Sequence, residues 1–315
     1  MRKILFTGGA GFIGSCFCEK LLEDPENFLV IVDNISTGNI HKLPANHSDR
    51  YKFIKCDVNN YKDISEIFMS YHFDYVFHYA AVVGVRRTQE NPVMVLKDLH
   101  GIEHLLNLCK NSAVKRIFFS SSSEVYGEPV EFPQNEETTP LNSRIPYAIV
   151  KNVGEAFLKS YFKEYGLKYT IFRFFNTYGT KQSPDFVMSR FIRLALSGQP
   201  ITIYGDGSQT RTFCFIDDNI DATYRVFKQS CEQTDYPNEV INIGNDNETH
   251  IIDLAKKVIE LTNSSTTLTF LPPLQEGDMS RRLPDISKMR FLLQRELTSL
   301  EDGIRNVLKN TSHII

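Results

Sequence analysis

Short apolar runs alternate along the first 175 residues with stretches in which apolar residues return every three or four positions. The runs are Lys3 to Thr7 (KILFT), FLVIVD ending at Asp33, Tyr51 to Cys56, Tyr75 to His78 within DYVFHYAA, Arg116 to Ser120, and Tyr169 to Arg173. Runs this short, with little polar alternation, predict strands covered on both faces. The helical period predicts helices up to about Leu22, from Tyr61 to about His72, from Pro92 to Cys109, and from Tyr147 to about Tyr165. Strands and helices in strict alternation predict an α/β fold, a doubly wound parallel sheet of the Rossmann type. Ligands in such a sheet bind beyond the carboxyl ends of the strands.

The pattern changes after Arg173. Asn176 to Gly179 and Lys181 to Asp185 look like loops, Phe186 to Leu196 like a helix, and Ile201 to Tyr204 like a strand before a turn at Gly205-Asp206-Gly207. Further strands are expected at Phe213 to Ile216 and Val240 to Ile243, and helices at His250 to Leu261 and Leu300 to Leu308. This half predicts a smaller mixed α/β lobe. The division falls at 1–175 and 176–315, interleaved, with the chain returning to the first domain near 213–244. On the Tyr147 to Tyr165 helix, Ile149, Val150, Val153, Ala156, Phe157, Tyr161 and Phe162 cover more than one apolar stripe. Such a helix suits either a subunit interface beside the core face or burial within one large domain.

Composition narrows the field of functions. The 315 residues carry 42% hydrophobic and 23% charged residues and a net charge of -3. Lys and Arg form no stripe, so neither nucleic acid nor an anionic membrane is an expected partner. No apolar run approaches the ~20 residues that span a bilayer, and the one near the N-terminus is too short for a signal peptide. The six cysteines show neither CxxC nor framework spacing, which reads as reduced core thiols in a cytoplasmic protein. His100-Gly101-Ile102-Glu103-His104 matches a zinc-peptidase pattern, but it lies in a helix with no third ligand in view, so no metal is expected. Glu136 and Glu137 read as solvated neighbours in a polar loop.

Two stretches carry chemistry. Gly8-Gly9-Ala10-Gly11-Phe12-Ile13-Gly14 follows a strand and opens a helix. Glycines there permit a tight turn, close approach of backbone to a pyrophosphate, and close packing of helix on strand. Asp33 ends the second strand, 19 residues past Gly14. A carboxylate at that place accepts hydrogen bonds from an adenosine ribose and repels a 2′-phosphate, so NAD is expected over NADP. The second stretch runs from Phe118 to Lys151. A strand breaks into a polar turn with Ser121, Ser122, Ser123, Glu124 and Tyr126, and a helix then presents Tyr147 and Lys151 one turn apart. An ammonium beside a phenol favours the phenolate, which makes the pair a proton-transfer device. Gly9, Asp33, Ala80 and Ser122 all fall at strand ends, on the side where the sheet binds ligands.

GGAGFIG, Asp33, SSSSEVYGE, Tyr147-x-x-x-Lys151, RFFNTYG and YGDGSQTR together resemble an extended short-chain dehydrogenase/reductase of the NAD-dependent nucleotide-sugar epimerase, dehydratase and decarboxylase group. The resemblance reaches to about Leu308. It implies tightly held NAD, a C-terminal lobe that grips a nucleoside diphosphate sugar, and a homodimer built on a four-helix bundle. It assigns the cofactor to Gly8, Gly11, Phe12, Ile13, Gly14, Asp33, Asn34, Asp57, Val58, Ala80 and Ala81, with Tyr147 and Lys151. In catalysis it implies Tyr147 as base, Lys151 as the residue that lowers its pKa, Ser122 to orient the sugar oxygen, and Ser123 and Glu124 beside them. Asn176 and Arg211 resemble the residues that hold the diphosphate, and Arg282 one that faces the sugar. Asp98 stands where similar sequences have Asn.

The shared chemistry is oxidation at C4 of the sugar, and the fate of the 4-keto sugar divides the group. An epimerase needs no further base, whereas Glu124 is an extra carboxylate. Ser123-Glu124 resembles both UDP-glucuronate decarboxylases and GDP-mannose dehydratases. Pro133 to Pro140 (PQNEETTP) leans to the dehydratases, Arg281 to Ile286 (RRLPDI) to the decarboxylases, and the loop before Tyr147 lacks the decarboxylase pattern. The best expectation is a UDP-glucuronate decarboxylase-like enzyme, with a 4,6-dehydratase or a 4-epimerase as alternatives. A dinucleotide-binding sensor or scaffold is disfavoured because both Tyr147 and Lys151 are present.

Overall fold

The computed structural model describes residues 1–272 and 281–313, with the side chains of Val85 and Arg86 left aside. The first part of the chain gives β1 (Arg2–Thr7), α1 (Phe12–Glu23), β2 (Asn27–Asp33), β3 (Tyr51–Lys55), α2 (Tyr61–Ser70), β4 (Tyr75–His78), α3 (Val85–Glu90), α4 (Pro92–Leu96), α5 (Asp98–Lys110), β5 (Arg116–Ser122), α6 (Pro146–Tyr165) and β6 (Tyr169–Phe174). The remainder gives β7 (Thr177–Tyr178), α7 (Val187–Leu196), β8 (Ile201–Tyr204), β9 (Thr210–Thr212), β10 (Cys214–Phe215), α8 (Ile216–Glu232), β11 (Glu239–Ile243), β12 (Glu248–His250), α9 (Ile251–Thr262), β13 (Leu268–Leu271), α10 (Ser287–Leu293) and α11 (Leu300–Leu308).

The chain forms two compact units. The first holds Met1–Val125, Ser143–Arg173 and Thr223–Ile241; the second holds Tyr126–Asn142, Phe174–Ala222 and Asn242–Ile315. Among the described residues the main sheet has seven strands in the order β11-β6-β5-β4-β1-β2-β3, a Rossmann-type doubly wound sheet. β1 pairs in parallel with β2 on one side and β4 on the other. The winding direction therefore reverses between β1 and β4, and their carboxyl ends open the crevice that binds ligands in this fold.

The apolar runs become strands because both faces of the sheet are covered. On one face, Phe6 of β1, Phe77 of β4, Phe118 of β5 and Phe172 of β6 stack in a row at centroid distances of 5.3, 4.4 and 6.2 Å. Phe17 of α1 and Phe227 of α8 meet Phe77 edge-on at 5.1 and 5.5 Å. On the other face, Leu5, Val76, Phe119 and Ile171 join one buried cluster with Ile102, Leu105 and Leu106 of α5 and Val150 and Leu158 of α6. The second unit is built on smaller pairings: β7 with β10 and β8 with β13, both parallel, and β9 with β12, antiparallel. No helix among the described residues is long and apolar enough to cross a membrane.

Several elements differ from expectation. Ser121 and Ser122 belong to β5 rather than to the turn, because the Ser121 hydroxyl donates to Glu155 Oε1 at 2.6 Å and so is satisfied inside the sheet. The expected Pro92 to Cys109 helix divides at Lys97 into α4 and α5. Asn176 to Gly179 contains the short strand β7. The strand expected over Phe213 to Ile216 shrinks to Cys214–Phe215, and Ile216 opens the long helix α8. Glu136 is buried, not solvated: its Oε1 accepts the Asn242 N–H at 2.8 Å, and burial raises its pKa. Glu137 is exposed and pairs with Lys288.

Candidate active site

At the carboxyl end of β1 the glycines are required by close approaches. Gly8 sits at φ +74°, and a Cβ there would come within 2.6 Å of the Ala80 nitrogen at the end of β4. A Cβ on Gly14 would meet the Gly8 carbonyl oxygen at 2.3 Å. No side chain larger than hydrogen fits either place. Gly11 is the N-cap of α1 and donates its N–H to Gly8 O at 3.1 Å; no side chain caps the helix, so the first N–H groups, at Phe12 and Ile13, suit an anion such as a pyrophosphate.

Asp33, the last residue of β2, is buried. Its Oδ2 accepts the Ala10 N–H at 3.0 Å and its Oδ1 the Ile35 N–H at 2.8 Å. Burial raises its pKa, and the two N–H groups oppose that rise. Each oxygen keeps a lone pair for a ribose hydroxyl. Asn34 beside it is exposed and accepts the Ser36 N–H. Past β3, Asp57 Oδ1 accepts the Asn59 N–H at 3.0 Å and Val58 is buried. Past β4, the Ala80 N–H donates to Thr7 Oγ1 at 3.2 Å, with half-buried Ala81 next in the chain. The expected cofactor residues thus line the carboxyl ends of β1 to β4.

β5 and α6 place the chemical groups. Pro146 at the first turn starts α6, and Gly166, left-handed at φ 72°, stops it. Lys151 lies one turn after Tyr147, with Nζ 5.9 Å from the Tyr147 ring centre and 4.9 Å from that of Phe119. It is 3% exposed and donates to Ser120 Oγ at 3.4 Å. Burial pulls its pKa down to about 8, against the charge of Asp98. Ser122 ends β5, buried, with its Oγ accepting the Glu124 N–H at 3.2 Å. Ser123 is buried and Glu124 half-buried in the 3₁₀ turn that follows. Below this group, Glu155 and Arg173 form a buried bidentate pair at 2.7 and 2.9 Å, which fixes α6 to β6. An arginine inside the apolar FRFF strand signals such a pair, because it needs a buried anion.

In the second unit, Asn176 adopts φ +26°, donates from Nδ2 to Thr212 O at 3.1 Å, and accepts the Cys214 N–H. Arg211 is half-buried on β9, with one guanidinium nitrogen donating to Thr210 O at 2.8 Å. Arg282 is 6% exposed. Its segment lies against the PQNEETTP segment: Gln134 N donates to Leu283 O at 2.7 Å, Asp285 N to Gln134 O at 2.8 Å, and Asn135 Nδ2 to Asp285 Oδ2 at 2.9 Å. Asn242, held by Glu136 and Tyr126, donates to Gln134 O as well. The two segments that leaned to different enzymes in sequence are thus one hydrogen-bonded structure, a pairing that sequence reasoning missed. Elsewhere, His104 Nδ1 lies 3.2 Å from Val58 O and its ring packs edge-on to Tyr61.

The glycine cradle, the uncapped helix terminus, the strand-end carboxylate and the buried ammonium together fit a dinucleotide. The NAD dependent epimerase/dehydratase family model matches residues 4–244. The chain belongs to that family. Among curated relatives, UDP-glucuronic acid decarboxylase 3 of Arabidopsis thaliana is 34% identical over 312 residues, 96% of this chain and 86% of the relative. Among solved structures, UDP-glucose 4-epimerase of Thermotoga maritima with UDP-glucose superposes with TM-score 0.89 at 33% identity, covering 98% of each chain. UDP-glucuronic acid 4-epimerase of Bacillus cereus, in complex with UDP-glucuronic acid and NAD, gives TM-score 0.87 at 33% identity over 99% of each chain. The protein is therefore an NAD-dependent enzyme of nucleotide-sugar modification.

Proposed function

We propose that this family member acts on a UDP-hexuronate, oxidising C4 and then releasing the C6 carboxylate as CO2. The observation that carries this is Arg282, a guanidinium withdrawn from water to 6% exposure in a segment pinned by backbone bonds to Gln134. An arginine stays charged when buried, and its rigid fork suits a carboxylate. The likeness to a UDP-glucuronic acid decarboxylase and to an epimerase solved with UDP-glucuronic acid supports a hexuronate as substrate.

Gly8, Gly11, Gly14, the start of α1 and Asp33 would hold NAD, together with Asn34, Asp57, Val58, Ala80, Ala81 and Lys151. NAD supplies, when bound, the oxidation of C4 and its later reversal. Tyr147 takes the proton of the C4 hydroxyl, Lys151 favours its phenolate, and Ser122 donates to the same sugar oxygen. Asn176 and Arg211 hold the diphosphate. A ketone at C4 turns the C6 carboxylate into a β-keto acid. The C5–C6 bond breaks, its electron pair passes to the C4 enolate, and CO2 leaves. Glu124, or a water beside it, returns a proton to C5.

A second reading is C4 epimerisation, favoured by the likeness to the two 4-epimerases. Glu124 then has no chemical part. Products from a panel of UDP-, GDP-, dTDP- and CDP-sugars, identified by mass spectrometry, test the proposal. A UDP-pentose from a UDP-hexuronate supports it, and turnover of neutral hexose nucleotides alone contradicts it. The working form is a homodimer joined through α4 and α6, where Val93, Leu96, Ile149 and Phe162 are exposed apolar residues.

A further inference from the structure

The β9–β12 ribbon sets Arg211 opposite Thr249, Glu248 opposite Thr212 and His250 opposite Thr210. Two strands of three residues each do not hold their shape alone. Asn176 Nδ2 ties one end of the ribbon through Thr212 O at 3.1 Å, and the Ile251 N–H ties the other through Gln209 O at 3.0 Å. Side chains alternate along a strand, so Thr210, Thr212 and Glu248 share one face of the ribbon, and Arg211 and Thr249 share the other.

Arg281 grips the face away from Arg211. Its Nε and one terminal nitrogen donate to Glu248 Oε1 and Oε2 at 2.7 and 2.6 Å. Glu248 Oε1 also accepts the Thr210 hydroxyl at 2.9 Å, so this carboxylate crosses both strands. On its other side the Arg281 guanidinium lies 4.4 Å from the centre of the Phe132 ring. Two residues further along each segment, Gln134 N donates to Leu283 O at 2.7 Å. Arg282 is therefore held from both sides, by the clamp at Arg281 and by the backbone bond at Leu283. An exposed ion pair on its own contributes little. This one is half-buried, forked, shared with Thr210 and stacked on a ring, which fixes direction as well as distance.

We propose that Arg281 is a positioning residue. It locks the ribbon that bears Arg211 to the segment that bears Arg282, so that one guanidinium meets the diphosphate and the other the sugar carboxylate of the same substrate. Arg281 touches no substrate itself and acts on the diphosphate through Arg211. The proposal rests on the reading of Arg211 and Arg282 as substrate ligands.

Calorimetric titration of the NAD-loaded enzyme with UDP tests it, in a cycle of Arg281→Met, Arg211→Met and the double variant. Arg281→Met is expected to weaken UDP binding about fivefold while Arg211 is present. It is expected to change nothing once Arg211→Met is in place, because residues that act through one contact are not additive. A merely structural role would lower the melting temperature and leave the UDP affinity where it was. Glu248→Met removes the clamp from its other side and is expected to follow the same pattern, which guards against misfolding peculiar to position 281. Unchanged UDP affinity in either folded variant, or an equal loss with and without Arg211, overturns the proposal while Arg211→Met still weakens UDP binding. Unchanged affinity in Arg211→Met itself would overturn the diphosphate reading, and the proposal with it.

Discussion

In the proposed reaction Tyr147 and Lys151 bear the greatest chemical demand. Tyr147→Phe removes the hydroxyl proposed to move the C4 proton while keeping the ring, so turnover is expected to fall by about 10²–10⁴-fold with nucleotide-sugar affinity nearly unchanged. Steady-state rates beside calorimetric binding check this, and turnover within about tenfold of wild type removes Tyr147 from its role. Lys151 makes a prediction about stability. Its folded pKa, about 8, lies below its ordinary value of 10.5. Between those values the unfolded chain binds more protons, so stability rises with pH across that window. Below it the full cost of burying the ammonium is present, on the order of 3 kcal/mol. Denaturation from pH 7 to 10.5 should show wild type gaining on Lys151→Met as pH rises; the opposite trend contradicts the burial of the charge. The glycines of the first turn and Asp33 were legible in the sequence because chain geometry demands them wherever a pyrophosphate meets a helix. Glu155 as a partner of Arg173 was not. The pair joins positions 18 residues apart on α6 and β6, whose packing no local pattern encodes.

Strands buried on both faces announce themselves as apolar runs, and all six expected in the first half formed, although β3, at the edge of the sheet, is only half-buried. Helices that begin without a connector do not. α8 starts at Ile216 directly after the two-residue β10, so IDDNID marks no boundary. α3 is six residues long after Gly84, too short to show a period. Among the elements that did form, α5, α6 and β5 meet at Gly154. A Cβ there would lie 2.6 Å from Phe119 Cζ and 3.1 Å from Ile102 Cδ1. Gly154→Ala gains helix propensity, but overpacking a filled core costs about 1–3 kcal/mol and should win. Urea unfolding measures the balance, and a variant as stable as wild type would mean that this seam is looser than the structure shows.

At the scale of the whole molecule, the chain leaves each compact unit and returns to it, since residues 126–142 belong with 174–222 and 242–315. Alternation of strands and helices made the first unit legible. The second rests on two- to four-residue strands and on loop pairings such as Gln134 with Pro284, which carry no periodicity. The exposed apolar residues of α4 and α6 make a prediction about assembly. Sedimentation equilibrium should find a dimer, and Val93→Glu/Ile149→Glu should give a folded monomer. A wild-type monomer would contradict the proposed homodimer.

The loss or retention of C6 decides between the two reactions. UDP-glucuronate labelled with ¹³C at C6, incubated with the NAD-loaded enzyme, reads this out through the fate of the label. Decarboxylation predicts labelled CO2 and an unlabelled UDP-pentose, both absent with Tyr147→Phe. Label retained in a C4-inverted UDP-hexuronate, with no CO2, would refute decarboxylation and make the enzyme an epimerase.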